Sequence, residues 1–486
     1  MLHAMERIGM FRNRNIKIKL IILFFISVFS VSLFSYSSPL YSINPWSDAN
    51  IFLTIGRGML KGKVMYVDLF DHKGPLLFTL YALCAFISNH SFLGIFIIEI
   101  ISLFFFLYYS NKIMNLYQTG NHYLAMFAIG FMVCGAKAFS FGGGSVEEFA
   151  LPVMQGCNFL IIKKMKEKEV FTARDSLMIG FFAAVLFLMK FTICGFFLGI
   201  AVSLVIYQFK YGRKTVLHCV LCAMLSFISV NLLVLLYFYI NQSVSVYIDS
   251  YFVFNLFSYA SKDNLLTSMY KAVLAGAFYL KNNPVLVSLS LAGLVSAWFV
   301  FKKNNDLKMY LIISFICWYG VSFIGGVFIA YYILPICIWS VLLFLQISRN
   351  KSKVPITILC IGTIAASFVL SPNIRHIKDK ETVRHSFIDI MNASGEDAEF
   401  LMYEGYDEGF YLIAEKIPAC RIFTNINTAR PDIIQDRDNC VNEKKIDYLI
   451  SMNKEIDLDS YELIAEEEAP YDDQIRTYRL YKRIDS

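Results

Sequence analysis

Long apolar stretches alternate with short basic clusters through the first 372 residues of the chain. A helix that crosses a bilayer needs about 20 apolar residues, within a range of about 17–25. Stretches near that length are 19–38, 75–89, 91–112, 122–140, 148–162, 174–191, 193–209, 215–240, 284–301, 309–325, 327–347 and 354–371. The stretch 75–89 is short and begins at Pro75, so we expect a juxtamembrane helix there instead of a span. The first stretch exceeds the apolar core of a signal peptide and predicts a retained span.

The basic clusters predict how these spans are oriented. Lysines and arginines concentrate in cytoplasmic loops, so the basic N-terminus and the four clusters between spans are expected on that side. The N-terminus and the clusters lie on the same side only if an even number of spans precedes Lys163. Five apolar stretches precede it, so one of them does not cross, and 75–89 is the weakest. We therefore predict eleven spans, although a marginal span at 148–162 or 309–325 would change the count. The segments then expected outside are 39–90, 141–147, 241–283 and 373–486.

From about Asn373 the chain becomes polar and charged, with short apolar or alternating runs. Such runs, with a helix-like stretch over 408–416 between two of them, predict strands that alternate with helices. The strand candidates are 400–403, 421–424, 448–450 and 477–481. The fold class is thus a polytopic α-helical membrane domain, residues 1–372, followed by a small extracytoplasmic α/β domain, residues 373–486. Cys420 and Cys440 lie in the second domain, and a disulfide and two free thiols both remain open.

Composition supports a multi-pass protein of the cell membrane. Hydrophobic residues make up 57% and charged residues 17% of the 486 residues, whereas soluble domains carry about 25% charged residues. The net charge of +6 comes from the clusters between spans, so it gives no reason to expect nucleic acid as a partner. The sequence contains no P-loop, dinucleotide fingerprint, zinc spacing or serine nucleophile elbow.

The first predicted outer loop combines an acid with several cations. Residues 46–62 have helical spacing and predict an amphipathic helix along the membrane surface. Asp48 lies at its N-terminus, where a carboxylate is either a helix cap or a functional group. Arg57 and Lys73 follow on a side where basic residues do not usually accumulate. They either extend toward lipid headgroups or bind a phosphate.

The second predicted outer loop carries Gly142, Gly143 and Gly144, which let a backbone approach a ligand closely. Glu147 and Glu148 follow at the edge of a span, where two carboxylates are costly and therefore suggest function. Ser145 and Glu148 also fit a capping box, which gives Glu148 a structural alternative. Lys137 and Lys190 are further cations at span edges, expected either to snorkel or to line one anionic pocket with Lys73. Tyr331-Tyr332 is expected to pack in a late span or to grip a polyprenyl chain.

Asp48, the segment 55–63 and the segment from Asp71 to Leu77 together resemble the GT-C glycosyltransferases. The branch is that of the protein O-mannosyltransferases and the bacterial aminoarabinose transferases. The motifs, weak singly and moderately specific as a set, cover roughly the first 200 residues. The resemblance implies a polyprenyl-phosphate-linked sugar donor, a cell-envelope lipid, glycan or protein acceptor, and transfer with inversion on the outer membrane face.

The same resemblance implies roles for individual residues. Asp48 is expected to act as the base or to orient the acceptor hydroxyl, and Glu147 or Glu148 to position the acceptor or to hold a cation. Arg57, Lys73, Lys190 and Lys137 are expected to bind the donor phosphate. Many relatives have two adjacent acids in the first loop, whereas Ala49 follows Asp48 here.

The missing second acid argues against a metal-chelating role, so no cofactor is assigned and a divalent metal remains a question. The alternative function is a transporter or flippase of a lipid-linked sugar. That function favours charged residues deep in several spans and paired repeats, and Glu99 is the one carboxylate deep in a predicted span.

Overall fold

The computed structural model describes residues 2–140, 143–259, 264–323, 326–377, 383–393, 395, 398–426, 430–443, 446–471 and 474–484. Phe141 and Gly142 of the second predicted outer loop therefore lie outside the described residues, as do residues 260–263 of the loop 241–283. The described part consists of apolar helices over residues 2–377, followed by a smaller region that contains a sheet.

The helices before residue 373 are α1 (Leu2–Phe34), α2 (Ser47–Leu60), α3 (Pro75–Ile87), α4 (Leu93–Tyr117), α5 (Tyr123–Cys134), α6 (Lys137–Ser140), α7 (Val146–Glu167), α8 (Ala173–Phe187), α9 (Cys194–Tyr211), α10 (Val216–Ile240), α11 (Val244–Tyr247), α12 (Leu265–Asn282), α13 (Pro284–Val300), α14 (Asn305–Phe323), α15 (Val341–Ser348) and α16 (Val354–Leu370). Segments of 3₁₀ helix are Phe191–Ile193, Arg213–Thr215, Ala330–Trp339 and Asn373–His376, and Ile248–Tyr259 is a π-helix.

Each of the eleven predicted spans overlaps at least one of these helices. By length and composition, six helices among the described residues can cross a membrane, or seven if the bent pair α12–α13 counts as one span. Several membrane-spanning helices make the chain a multi-pass membrane protein. The count of eleven and the orientation of the termini stay predictions.

Helix α2 forms where the spacing of apolar residues predicts it, but its environment differs from the prediction. Every residue from Ala49 to Gly58 is buried, so the expected amphipathic helix on the membrane surface is wrong. One side packs on α3, so closely that a Cβ at Gly56 would lie 2.6 Å from the carbonyl carbon of Tyr81. The other side packs on residues after 400. Helix α3 has 13 residues, or about 20 Å, which is shorter than a bilayer core of about 30 Å.

The region after residue 373 contains the predicted combination of strands and helices. The remaining elements are α17 (Val383–Ala393), β1 (Phe400–Glu404), α18 (Phe410–Ile413), α19 (Pro431–Glu443), β2 (Tyr448–Met452), β3 (Tyr461–Tyr471) and β4 (Gln474–Arg483). The sheet order is β1-β2-β4-β3. Strands β1 and β2 pair in parallel, and β4 pairs antiparallel with both β2 and β3.

Two details of this region depart from the sequence prediction. The run 421–424 is not a strand, because its backbone bonds outside the sheet: Arg421 O accepts a 2.9 Å hydrogen bond from Phe70 N in the first loop. The sequence also missed β3. Cys420 and Cys440 form a disulfide, which decides between the two alternatives for this pair.

Candidate active site

Asp48 is the first residue of the candidate site, and the structure separates its two predicted roles. The N-cap of α2 is Trp46, whose side chain makes no capping hydrogen bond. Asp48 instead accepts a 2.8 Å hydrogen bond at Oδ2 from the hydroxyl of Tyr331. The cap alternative is therefore wrong, and the carboxylate belongs to a contact between α2 and the segment Ala330–Trp339.

Lys73 and Lys190 meet because the chain around Gly74 lies directly on the end of α8. Gly74 N donates to Met189 O at 3.0 Å, and Leu76 N donates to Leu188 O at 3.1 Å. A Cβ at Gly74 would lie 2.1 Å from Leu188 O, so only glycine permits this approach. The predicted meeting of Lys73 and Lys190 is thus the result of backbone pairing between the first loop and the segment 188–190.

Lys190 is held by a carboxylate and two aromatic rings. Its ammonium donates to Glu147 Oε1 and lies 3.5 Å from the ring centroid of Tyr332 and 5.1 Å from that of Tyr331. Lys190 is 8% exposed and Glu147 is 3% exposed. A buried ammonium stays charged only when such partners offset its lost hydration.

Lys73 is equally buried, at 8% exposure. Its Nζ lies 3.9 Å from Asp71 Oδ1, 3.4 Å from His72 Nε2 and 5.6 Å from the ring centroid of Phe52. Burial by itself lowers the pKa of Lys73, but the carboxylates of Asp71 and Asp48 outweigh it and hold that pKa above its usual value. Lys73 is therefore a permanent cation at neutral pH.

His72 is held in its neutral form. Burial, followed by the charge of Lys73, depresses the pKa of His72 well below its usual value, against the opposing effect of Asp48. Asn255 donates a 2.7 Å hydrogen bond to the His72 carbonyl, and the ring of Tyr259 lies 4.8 Å from the imidazole.

The two lysines share the wall of one cavity of about 290 Å³. Most of its wall is apolar or aromatic, and it includes Phe191, Leu256 and Val327. His72, Tyr259 and Tyr332 complete the part of the wall beside the ammonium groups. A cavity with cations at one side and apolar walls elsewhere can accommodate an amphipathic anion, with its phosphate on the lysines.

The two adjacent glutamates point to different places. Glu147 contacts Lys190, whereas Glu148 accepts a 2.9 Å hydrogen bond from Gly144 N, and its own N–H donates to Ser145 Oγ. Glu148 interacts electrostatically with a second carboxylate, that of Glu99. Glu99 accepts a 2.7 Å hydrogen bond from Ser35. Of the two glutamates, the geometry therefore places Glu147 at the lysines.

The glycines of this loop serve packing instead of ligand approach. Gly144 has φ +91°, and a Cβ there would lie 2.4 Å from the Tyr81 hydroxyl, which donates to the Gly144 carbonyl at 2.8 Å. A Cβ at Gly143 would lie 2.7 Å from Glu99 Oε1. Gly142 lies outside the described residues.

Arg57, predicted to bind the donor phosphate, is not among the described residues that line the lysine cavity. It is 1% exposed and donates to the carbonyls of Tyr411 at 2.9 Å and Lys416 at 3.3 Å, and to Asn89 Oδ1 at 3.2 Å. Its guanidinium thus attaches the region after residue 400 to α2. Lys137, half-buried, begins α6, which packs on the segment that carries Tyr331.

Sequence reasoning missed the direct partners of the charged groups. Tyr331 and Tyr332 were expected in packing or in contact with a polyprenyl chain, yet they contact Asp48 and Lys190. Tyr259 and Asn255, which surround His72, gave no sequence signal. Their contribution depends on the packing of the π-helix Ile248–Tyr259 against the first loop.

The charged groups at this site do not fit a divalent metal. In the part of the chain that the structure describes, no three His, Cys, Asp or Glu side chains converge as a ligand set. Lys190 donates a hydrogen bond to Glu147, and the carboxylates of Asp48, Asp71 and Glu147 act electrostatically on Lys73. Two ammonium groups thus stand where a cation would have to bind, and no chemical step is assigned to a metal.

Comparison with known proteins gives one family and one fold. Residues 12–370 match the family described as "Putative competence-induced protein Ccs4 N-terminal domain". The crystal structure of ArnT from Cupriavidus metallidurans bound to undecaprenyl phosphate matches with a TM-score of 0.56 and 11% identity, over 96% of this chain and 97% of that one. No curated protein matches the chain. The likeness to ArnT, a GT-C aminoarabinose transferase, confirms the predicted resemblance to the GT-C superfamily in fold.

Proposed function

Since the chain belongs to the Ccs4 N-terminal domain family and shares the ArnT fold, we propose that it is an integral-membrane inverting glycosyltransferase. Its donor is a polyprenyl-phosphate-linked sugar, and its acceptor is a lipid, glycan or protein of the cell envelope. The reaction takes place on the outer membrane face.

One observation carries this proposal: Lys73 and Lys190 lie on one largely apolar cavity, and Tyr331, whose ring lies 5.1 Å from the Lys190 ammonium, donates a hydrogen bond to Asp48. A phosphate with an isoprenoid tail needs cations at its head and apolar walls along its chain. A catalytic carboxylate close to the phosphate is what glycosyl transfer further requires, because the acceptor hydroxyl must lose its proton.

In the proposed step, one bond forms at the anomeric carbon of the sugar and one breaks. The acceptor oxygen forms a bond to the anomeric carbon, and the bond from that carbon to the phosphate oxygen breaks. Asp48 takes the proton of the acceptor hydroxyl, and polyprenyl phosphate leaves with the bonding electrons. Attack from the face opposite the phosphate inverts the anomeric carbon.

The surrounding residues have supporting roles in this proposal. Lys73 and Lys190 stabilise the negative charge that develops on the departing phosphate. Tyr331 fixes the carboxylate of Asp48, and Glu147 orients Lys190 through their hydrogen bond. Lys137 contributes to the positive potential near the donor without direct contact.

The test combines binding with turnover. Full-length protein in lipid nanodiscs is titrated with undecaprenyl phosphate, and cell-envelope glycans of a deletion strain are compared with those of strains that express each variant. Lys73→Met and Lys190→Met are expected to weaken undecaprenyl phosphate binding at least tenfold. Lys61→Met, an exposed lysine of the same loop, is the matched control and keeps wild-type binding.

Two results would overturn the proposal. One is undecaprenyl phosphate binding that is equal in wild type, Lys73→Met and Lys190→Met. The other is a deletion strain with unchanged envelope glycans, together with movement of a polyprenyl-phosphate sugar across proteoliposomes without its turnover, which would favour the transporter.

A further inference from the structure

A second cavity, of about 560 Å³, lies between the first loop and the region after residue 383. From the first loop and its flanks it is lined by Tyr36, Asn44, Asn50 and His90, and from the other side by His385 and Glu408. Its volume falls in the range of about 300–1,000 Å³ that is common for ligand sites.

The chemistry of this wall differs from that of the lysine cavity. Amide, hydroxyl, imidazole and carboxylate groups form a larger share of this wall than polar groups do in the lysine cavity, and no lysine or arginine is among its described lining residues. Glu408 is already neutralised, because Arg384 at 3.2 Å and Arg476 donate to it and the Tyr478 hydroxyl donates at 2.6 Å. At the rim, His90 lies 2.9 Å from Glu415. The cavity therefore offers hydrogen bonds but no lysine or arginine side chain for a phosphate.

Asn50 lines the cavity and has a side-chain oxygen that can accept a hydrogen bond from a ligand. Its Nδ2 donates to the carbonyls of Asn44 at 2.7 Å and Trp46 at 3.0 Å. These bonds fix the side-chain amide, while Oδ1 accepts no hydrogen bond from the described residues. An unsatisfied buried carbonyl is costly. Gly409, with φ +108°, faces it, since a Cβ there would lie 3.3 Å from Asn50 Oδ1.

One loop, residues 405–409, connects this cavity to the candidate active site. Asp407 accepts a 3.1 Å hydrogen bond from Thr54 of α2, which fixes the loop on the helix that carries Asp48. Glu408 and Gly409 line the polar cavity.

We propose that the polar cavity binds an uncharged, hydroxyl-rich carbohydrate, which is the part of the acceptor that precedes the reacting hydroxyl. The tyrosines of the wall supply ring faces, and the asparagines supply amide hydrogen bonds to hydroxyls. The identification of this carbohydrate as the acceptor rests on the proposed function, whereas the carbohydrate site itself does not. The C-terminal region then forms half of the acceptor site.

The experiment uses the full-length chain in nanodiscs and saturation-transfer NMR with chitotriose, maltotriose and mannotriose. Ser42 is exposed on the cavity wall, so Ser42→Trp fills the cavity without disturbing the core. His385→Ala removes a polar group from the opposite side. Leu40→Trp introduces the same ring two residues away, at an exposed position outside the cavity, and is the matched control.

At least one of the three sugars is expected to bind. Ser42→Trp is expected to weaken that binding at least tenfold and His385→Ala about threefold, while Leu40→Trp leaves it unchanged. The proposal is overturned if none of the sugars binds, if Ser42→Trp binds them like wild type, or if Ser42→Trp abolishes binding of a Ser/Thr-rich peptide instead. Undecaprenyl phosphate binding, measured on the same samples, should not change in Ser42→Trp. If wild type does not bind undecaprenyl phosphate, the proposed donor is contradicted. The carbohydrate binding result is then judged separately.

Discussion

The hydroxyl of Tyr331 donates a 2.8 Å hydrogen bond to Oδ2 of Asp48 across 283 residues of sequence. This bond joins the helix after the first span to one of the last apolar segments. The ring of the same tyrosine lies 5.1 Å from the ammonium of Lys190, so the bond places the carboxylate on the side of that lysine. The proposed base is therefore oriented by a residue that no local motif connects to it.

Asp48→Asn is expected to reduce transfer at least 100-fold, because a positioned general base contributes roughly 10²–10⁴-fold. Tyr331→Phe should reduce it roughly 10- to 100-fold, since a hydrogen bond to a charged group contributes about 1.5–3 kcal/mol. The measurement is restoration of the envelope glycan that the deletion strain lacks, with membrane insertion checked for each variant. Ser47→Ala, in the same helical turn, is the control with wild-type activity. Full activity of Asp48→Asn would remove Asp48 from the role of base.

Glu147→Gln should destabilise the folded protein by about 3 kcal/mol, because it leaves Lys190 buried without its carboxylate. Lys190→Met combined with Glu147→Gln is expected to recover much of that loss, since the unpaired charge is gone. Thermal unfolding in detergent measures both. Glu148→Gln provides the comparison and should retain transfer, because an amide oxygen can still accept from Gly144 N. A double variant that is less stable than Glu147→Gln alone would contradict the pairing.

Arg57→Met should weaken attachment of the C-terminal region by about 2 kcal/mol and leave undecaprenyl phosphate binding unchanged. The reason is that the guanidinium donates to the carbonyls of Tyr411 and Lys416, and hydrogen bonds from a charged donor contribute more than neutral ones. Limited proteolysis after residue 373 reports the attachment, with Lys63→Met as the matched control. If Arg57→Met loses undecaprenyl phosphate binding and its proteolysis is unaltered, Arg57 binds the donor phosphate as the sequence predicted.

The disulfide between Cys420 and Cys440 closes a segment with a sequence separation of 20. Such a loop is expected to stabilise the C-terminal region by about 3 kcal/mol. Cys420→Ala with Cys440→Ala should lower its unfolding temperature, and reductant should do the same to wild type only. Mass spectrometry of protein isolated under alkylating conditions tests the bond directly. Two alkylated thiols at these positions would argue against the predicted extracytoplasmic side.

His72 should make stability depend on pH in a defined direction. Its pKa is depressed in the folded protein, so below about pH 6.5 the unfolded chain binds a proton that the folded chain does not. Stability is complete above that pH and falls as the pH decreases, by about 1 kcal/mol between pH 6.5 and 5.5. His72→Gln should lose this part of the pH dependence in thermal unfolding. An identical pH profile in wild type and His72→Gln would show that folding does not depress the pKa of His72.

The sequence by itself determined the membrane class and the positions of the apolar helices. These follow from the local run of apolar residues, which a bilayer selects directly. It also indicated Asp48, Lys73, Glu147 and Lys190 as candidate site residues, because charge at the edge of a span is costly and thus conspicuous. The short strands β1, β2 and β4 followed from apolar runs of the same local kind.

Only the tertiary structure decided which of these residues meet. Lys73 reaches Lys190 because Gly74 has no side chain to separate it from Leu188, and Asp48 reaches Tyr331 through helix packing. Arg57 is equally conspicuous in sequence, yet it faces the C-terminal region, because it follows Asp48 by about two and a half turns of α2 and so lies on the opposite side of the helix. Glu147 and Glu148 are neighbours in the chain and point apart, because successive residues of a helix differ in direction by about 100°. The sequence gives this angle between the two side chains. Which residue each of them contacts depends on the helices packed around them.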